Sequence, residues 1–226
     1  MNGRIVVADD VTVAFTELLV SSFVERTSKQ FSVAFSGGDT AKRCYEKVAS
    51  TAKNAIDWSC VTALWGDERC VPLDDPDSNY RLVREALLDH VGPFGCVEPM
   101  RCDAGADYYN DLVASLPPID FVHLGLGPDG HTASLFPGSE ALTAPRDRFV
   151  VANNDPFAHN PHERLTFTYA GIARARRVVV TVAGETKAAA LLRVQQGDMT
   201  APAALLQADD LIWIVDQAAL ANRGRR

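Results

Sequence analysis

Short apolar runs recur along this chain, with polar and amphipathic stretches between them. Ile5–Ala8, Phe31–Phe35, Val61–Trp65, Ile119–Leu124, Val178–Ala183 and Leu211–Val215 are brief, continuous and rich in β-branched or aromatic side chains. Such runs read as strands buried on both faces. Phe149–Ala152 and Leu165–Thr168 are weaker strand candidates. Helices are predicted over Val11–Thr27, Thr40–Thr51, Ser78–His90, Ala106–Ser115 and Glu185–Gln196, with a short one closing the chain. Asp9 or Asp10 stands where the first helix needs an N-cap, and Pro117-Pro118 stops the fourth. Strands alternating with helices imply βαβ units and hence an α/β fold, an open, mostly parallel sheet with helices on both faces. The 226 residues suit one domain spanning 1–226, with no internal repeat and no low-complexity linker. Asn153–Pro161 is expected to be an exposed loop beside the site, and Arg223–Arg226 a solvated tail.

Composition narrows the function classes. At 47% hydrophobic and 23% charged residues the chain has the balance of a soluble globular protein. Its net charge of −7 argues against a nucleic-acid partner or an anionic membrane surface, so an anionic substrate would need a local basic pocket. No apolar run approaches the ~20 residues of a membrane span, and the N-terminus does not read as a signal peptide. Five cysteines, an odd number without a CxxC pair, fit neither a zinc spacing nor a disulfide framework. A reducing, cytoplasmic setting is the expectation.

Two glycine turns hold the candidate chemistry. Ser36-Gly37-Gly38-Asp39-Thr40 joins a predicted strand to a predicted helix. Backbone N–H groups and the helix dipole there favour an oxyanion, and Thr40 could cap the helix or offer its hydroxyl to the same anion. Three readings stay open: a phosphate cradle, an ordinary tight turn, and a serine-hydrolase elbow with Ala34 in place of the first glycine. The GK[ST] ending of a nucleotide-triphosphate loop is missing. Asp39 would repel a phosphate if it pointed inward, so it is expected to cap the helix or face solvent.

Gly125-Leu-Gly-Pro-Asp-Gly-His-Thr132 follows the Ile119–Leu124 run. Its G-x-G-x-x-G spacing resembles a dinucleotide fingerprint, but Asp129 sits inside the turn and Pro128 removes an N–H donor. A lone histidine is more often structural than catalytic. Here the glycines, the neighbouring acid and the strand-end placement favour His131 as a general base, with Asp129 or Asp67 orienting it. No second histidine stands at metal-ligand spacing. Arg69, in Trp65-Gly-Asp-Glu-Arg69, could neutralise an oxyanion, although Asp67, Glu68 and Arg69 could equally be a surface ion cluster. Arg164 and Lys187 stand at element ends as candidate phosphate ligands. Together the turns point to one site for a phosphorylated small molecule.

These residues resemble the 6-phosphogluconolactonase family, in order and over nearly the whole chain. The matching segments are Phe35–Thr40, Trp65–Arg69 with Val71-Pro72 and Asp75–Tyr80, Gly125–Ser139, Arg164–Thr166 and Gly184–Ala188. The resemblance implies a Rossmann-like sheet related to glucosamine-6-phosphate deaminase. It implies hydrolysis of 6-phospho-D-glucono-1,5-lactone to 6-phosphogluconate, in the oxidative pentose phosphate pathway, without a cofactor or metal. Ser36, Gly37, Gly38, Thr40, Arg164 and Lys187 would hold the phosphate, His131 would be the base supported by Asp129 and Asp67, and Arg69 would stabilise the oxyanion. The expected partner is a sugar-phosphate lactone alone, bound by a monomer. Ala41 stands where many members have proline, which would loosen the turn slightly. Rivals are a glucosamine-6-phosphate deaminase/isomerase, disfavoured because Thr132–Phe136 lacks an acidic residue, and a non-catalytic sugar-phosphate sensor, disfavoured because His131 and Asp129 are present.

Overall fold

The computed structural model describes residues 1–221. Ten strands and seven helices follow one another as β1 (Arg4–Val7), α1 (Val11–Val24), β2 (Phe31–Phe35), α2 (Asp39–Thr51), β3 (Val61–Trp65), β4 (Asp67–Arg69), α3 (Asn79–Ala86), β5 (Cys96–Val97), α4 (Gly105–Ser115), β6 (Phe121–Gly125), β7 (Val150–Asn153), β8 (Arg164–Phe167), α5 (Tyr169–Ala173), β9 (Arg177–Val182), α6 (Ala188–Gln195), β10 (Leu211–Val215) and α7 (Gln217–Leu220). The basic tail expected at Arg223–Arg226 lies outside the described residues.

Seven strands form a parallel sheet in the order β1-β10-β9-β6-β2-β3-β5. β10 buries all five of its side chains, as a parallel strand covered on both faces must. Behind the sheet Phe15 of α1 meets Tyr45, Phe121 and His123 in a buried aromatic cluster. Fully burying a Phe or Leu side chain contributes about 1.5–3 kcal/mol. The remaining strands make a small antiparallel sheet, β4-β8-β7, with Arg69 opposite Arg164 and Asp67 opposite Thr166.

Connectivity explains where a ligand can enter. β2 and β6 are neighbours, but the chain leaves β2 toward β3 on one side and β6 toward β9 on the other. That divergence opens a crevice at the carboxyl ends of β2 and β6, the usual binding place in an open α/β sheet. Both glycine turns flank it, and the small sheet packs alongside.

Several boundaries differ from the sequence expectations. The first helix stops at Val24 rather than Thr27, because the polar segment after Glu25 has no apolar face to bury. The Ser78–His90 helix breaks at Leu87 and resumes as a single 3-10 turn, Leu88–His90. The Glu185–Gln196 helix opens with a 3-10 turn, Glu185–Lys187. β4 and β5 were not expected as strands at all. Two cysteines correct the expectation of free thiols: Cys70, directly after β4, is disulfide-bonded to Cys102, with Cα atoms 5.3 Å apart. Their 32-residue separation has no diagnostic pattern, since only the fold brings them together. Cys44, Cys60 and Cys96 stay free.

Candidate active site

The turn after β2 presents backbone rather than side chain. Gly38 takes a φ of +91° that disfavours other residues, and a Cβ at Gly37 would run into the Asn79 amide. α2 begins at Asp39 with no side-chain cap, so its first N–H groups are left for a ligand. Thr40 therefore does not cap the helix, and its hydroxyl is not engaged by it. Asp39 is exposed but does not turn away from the site: it lines the cavity that Thr40 and Lys187 share, where its charge acts on the Lys187 ammonium and would oppose an anion. The Ser36 backbone is tied to the Tyr45 hydroxyl. The nucleophile elbow finds no support, because His131 is bonded to Asp129 and not to Ser36.

The turn after β6 is closed by its own backbone. Gly127 N–H donates to the His131 carbonyl at 2.8 Å and Gly130 N–H to the Gly127 carbonyl at 3.0 Å. Gly127 lacks the Cβ that would strike the His131 ring, and Gly130 has a φ of +89°. These glycines shape a histidine turn rather than a pyrophosphate loop. Asp129 Oδ1 lies 2.6 Å from His131 Nδ1 and also accepts from the His131 N–H at 3.1 Å. Burial pushes the Asp129 carboxyl up, but the bond to His131 and its charge outweigh that and hold it below the ordinary carboxylate range. An ionised Asp129 fixes the proton on Nδ1, which leaves the Nε2 lone pair for chemistry. Arg193 secures the turn from behind by donating to the Asp129 carbonyl at 2.9 Å.

Acids and bases on the small sheet are not a surface cluster. Glu68 is 1% exposed. It accepts from the N–H groups of Arg69, Asn79 and Tyr80, each at 2.7 Å, and from the Ser78 hydroxyl at 3.1 Å. Burial raises its carboxyl against those donors, and its place at the start of α3 makes it a helix anchor. Asp67, expected to support the imidazole, instead accepts from Ser134 Oγ at 2.6 Å and from Asn79 Nδ2 at 3.3 Å. The Asp129 pairing already occupies Nδ1 of His131, and Asp67 is bonded to the cleft residues Ser134 and Asn79 and not to the imidazole.

Arg69 and Arg164 face each other across the β4–β8 pair, and each has a buried Nε without a partner. Burial, then the nearby Arg69 charge, pushes the Arg164 guanidinium below its ordinary value. Asp67, Glu68 and Asp77 offset part of that repulsion. Arg69 Nη1 donates to the Asp77 carbonyl at 2.5 Å and Arg164 Nη2 to the Pro161 carbonyl at 2.9 Å, so the two Nε–H groups are what the pair leaves free for a ligand. Burial likewise pushes the Lys187 ammonium down, against the pull of Asp129 and Asp39.

One cleft gathers Ser36, Gly37, Gly38, Asp67, Arg69, His131, Arg164 and Lys187. Asp129 stands behind His131, and Thr40 lines an adjoining cavity that shares Gly37, Gly38 and Lys187. Asn79, Ser134, Phe136 and Asn160 also line the cleft and were not foreseen. Asn79 and Ser134 lie within motifs visible in the sequence, but only their contacts with Asp67 reveal what they do. Among the described residues no group of three or more His, Cys, Asp or Glu side chains is placed to hold a metal ion.

The family described as glucosamine-6-phosphate isomerases/6-phosphogluconolactonase matches residues 6–213. The chain belongs to this family. A 6-phosphogluconolactonase of Synechocystis is 39% identical, over 93% of this chain and 91% of its own. A crystal structure of 6-phosphogluconolactonase from Leishmania guyanensis superposes with a TM-score of 0.85 at 25% identity, covering all of both chains. A monomeric glucosamine-6-phosphate deaminase, at 18% identity and a TM-score of 0.84 over 99% of this chain and all of its own, shares the fold. The α/β fold expected from the apolar runs is thus also that of solved relatives.

Proposed function

We propose that this family member hydrolyses 6-phospho-D-glucono-1,5-lactone to 6-phosphogluconate, a step of the oxidative pentose phosphate pathway. The observation that carries the reading is the Asp129–His131 pair, 2.6 Å apart in a cleft that also presents two arginines and a glycine turn. The names of the relatives support it. The Gly37 and Gly38 backbone, with Ser36, Thr40, Arg164 and Lys187, would hold the phosphate. This remote grip positions the lactone carbonyl near His131.

His131 Nε2 takes a proton from water as the water oxygen bonds to C1. Asp129 stabilises the imidazolium, and Arg69 stabilises the oxyanion that forms on the carbonyl oxygen. Collapse of that oxyanion breaks the C1–O5 bond, and the imidazolium returns its proton to O5. No covalent intermediate is required. Asp67 acts at one remove, through Ser134 and Asn79.

A monomer fits this reading, since one chain supplies every proposed group. No helix in the described residues is long and apolar enough to cross a membrane. The cytoplasmic setting expected from the cysteine spacing loses that argument, because the Cys70–Cys102 disulfide is not a feature of a reducing compartment. The test is a coupled assay of lactone disappearance above the spontaneous rate, together with ammonia release from glucosamine-6-phosphate. Catalysis by the wild type and its loss in His131→Ala are expected. Ammonia release, or unchanged turnover in His131→Ala, contradicts the reading.

A further inference from the structure

A chain of four buried polar groups, Ser36, Tyr45, His123 and Thr181, runs behind the proposed phosphate subsite, and apart from Ser36 none of them has a part in the reading above. At its centre is His123, fully buried on β6. Its Nδ1 lies 2.8 Å from the Tyr45 hydroxyl of α2, and its Nε2 lies 2.9 Å from Thr181 Oγ1 on β9. The same Tyr45 oxygen accepts from the Ser36 N–H at 2.8 Å and lies 3.1 Å from the Ser36 carbonyl.

The ends of this chain open on the two cavities of the site. Ser36 lines the cleft that holds His131, and Thr181 lines the adjoining cavity with Thr40 and Lys187. The hydrogen bonds therefore link the turn after β2 and helix α2 to β6 and β9; the turns after β2 and β9 would hold the anion, and the turn after β6 carries His131.

The chain is complete with a neutral imidazole. In one arrangement the Tyr45 hydroxyl donates to Nδ1 and Nε2–H donates to Thr181. In the other, Nδ1–H donates to Tyr45, the Tyr45 hydroxyl donates to Ser36, and Thr181 donates to Nε2. Burial pushes the imidazole down to about 3, so neutrality holds across the physiological range. Phe15 packs on the ring with centroids 4.3 Å apart. An apolar residue between Val122 and Leu124 would avoid the cost of burying these groups, so the arrangement needs a reason beyond packing.

We infer that His123 is a positioning residue for substrate binding: through Tyr45 and Thr181 it fixes the spacing between the Ser36–Gly38 turn and the β9 side of the phosphate subsite. The inference rests on the phosphate reading given above. Its test is steady-state kinetics of the full chain with the lactone, with inorganic phosphate as competitive inhibitor, on His123→Leu, His123→Asn, Tyr45→Phe and Lys187→Ala. For His123→Leu, KM and the phosphate inhibition constant are expected to rise together by about tenfold, as for one lost buried hydrogen bond, with kcat within about twofold. Tyr45→Phe should follow it in the same direction, and His123→Asn, whose amide can rebond Tyr45, should recover most of the loss. If Lys187→Ala weakens phosphate inhibition while His123→Leu and Tyr45→Phe leave KM unchanged, or lower kcat alone, the inference is overturned and the subsite reading stands. If Lys187→Ala leaves phosphate inhibition unchanged, the subsite reading fails and takes this inference with it. Should His123→Leu not fold, Tyr45→Phe, which removes a single oxygen, decides the matter on the same readouts.

Discussion

β10 of the large sheet and β8 of the small one are buried to the same depth but filled differently. β10 places Leu211, Ile212, Trp213, Ile214 and Val215 in the core, whereas β8 buries Arg164 and Thr166 beside Leu165 and Phe167. Apolar burial needs only a complementary shape and tolerates volume-conserving exchange. A buried guanidinium with an unpartnered Nε needs a specific partner. The large sheet thus provides stability and two backbone turns, while the small sheet provides charge at a fixed place beside them. Changes in the first should register as stability and changes in the second as binding or rate.

The largest expected effect falls on the turn after β6. His131→Ala should lower kcat by about 10²–10⁴-fold, with a melting temperature close to wild type, read from initial rates and thermal unfolding. A rate loss explained by unfolding would break the division between scaffold and site. Next is the covalent tie of the small sheet. Closing the Cys70–Cys102 loop of 32 residues should contribute about 3–4 kcal/mol through chain entropy. Denaturant titration with and without reductant, and on Cys102→Ser, measures it. Arg164→Lys follows, because an ammonium cannot reproduce the planar fork. A rise in KM of about tenfold, or roughly 1.4 kcal/mol, is expected with little change in stability. Its counterpart in the large sheet, Ile214→Val, should cost about 0.5–1.5 kcal/mol of stability and leave KM alone.

The last effect, smallest near neutral pH, is a slope with pH. The folded pKa of His123 lies near 3 and its ordinary value is 6.5, so between these limits the unfolded chain binds the extra proton. The stability from the neutral imidazole is complete above pH 6.5 and is lost as pH falls toward 3. The slope from this one group is at most about 1.4 kcal/mol per pH unit. Asp129 adds loss in the same direction at lower pH, since its folded value is depressed. Unfolding free energies measured from pH 7 downward should fall less steeply for His123→Leu than for wild type. Parallel curves would remove His123 from the acid sensitivity.

The same contrast explains how much of the molecule was legible in its sequence. Phe31–Phe35, Val61–Trp65 and Leu211–Val215 fall on their strands to the residue, because an unbroken apolar run has few alternatives in a doubly covered sheet. β4 is Asp-Glu-Arg, and nothing local marks it as a strand, since its partner β8 is far along the chain. For the same reason a surface ion cluster stayed open as one reading of Asp67, Glu68 and Arg69, whereas Glu68 is buried and accepts from four donors. The glycine turns and His131 stood out through local chemistry. Asn79, Ser134 and His123 act through contacts with residues distant in sequence, and the Cys70–Cys102 pair is likewise a product of tertiary structure. Asp67 lines the cleft, but its hydrogen-bond partners are Ser134 and Asn79, which no local pattern in the sequence indicates.

A crystal structure with bound 6-phosphogluconate tests the central claim most directly. The account predicts the phosphate on the Gly37–Gly38 backbone within reach of Arg164 and Lys187, and the C1 carboxylate near His131 Nε2 and Arg69. A reversed ligand, with its phosphate against His131, or one bound away from both glycine turns, would contradict it.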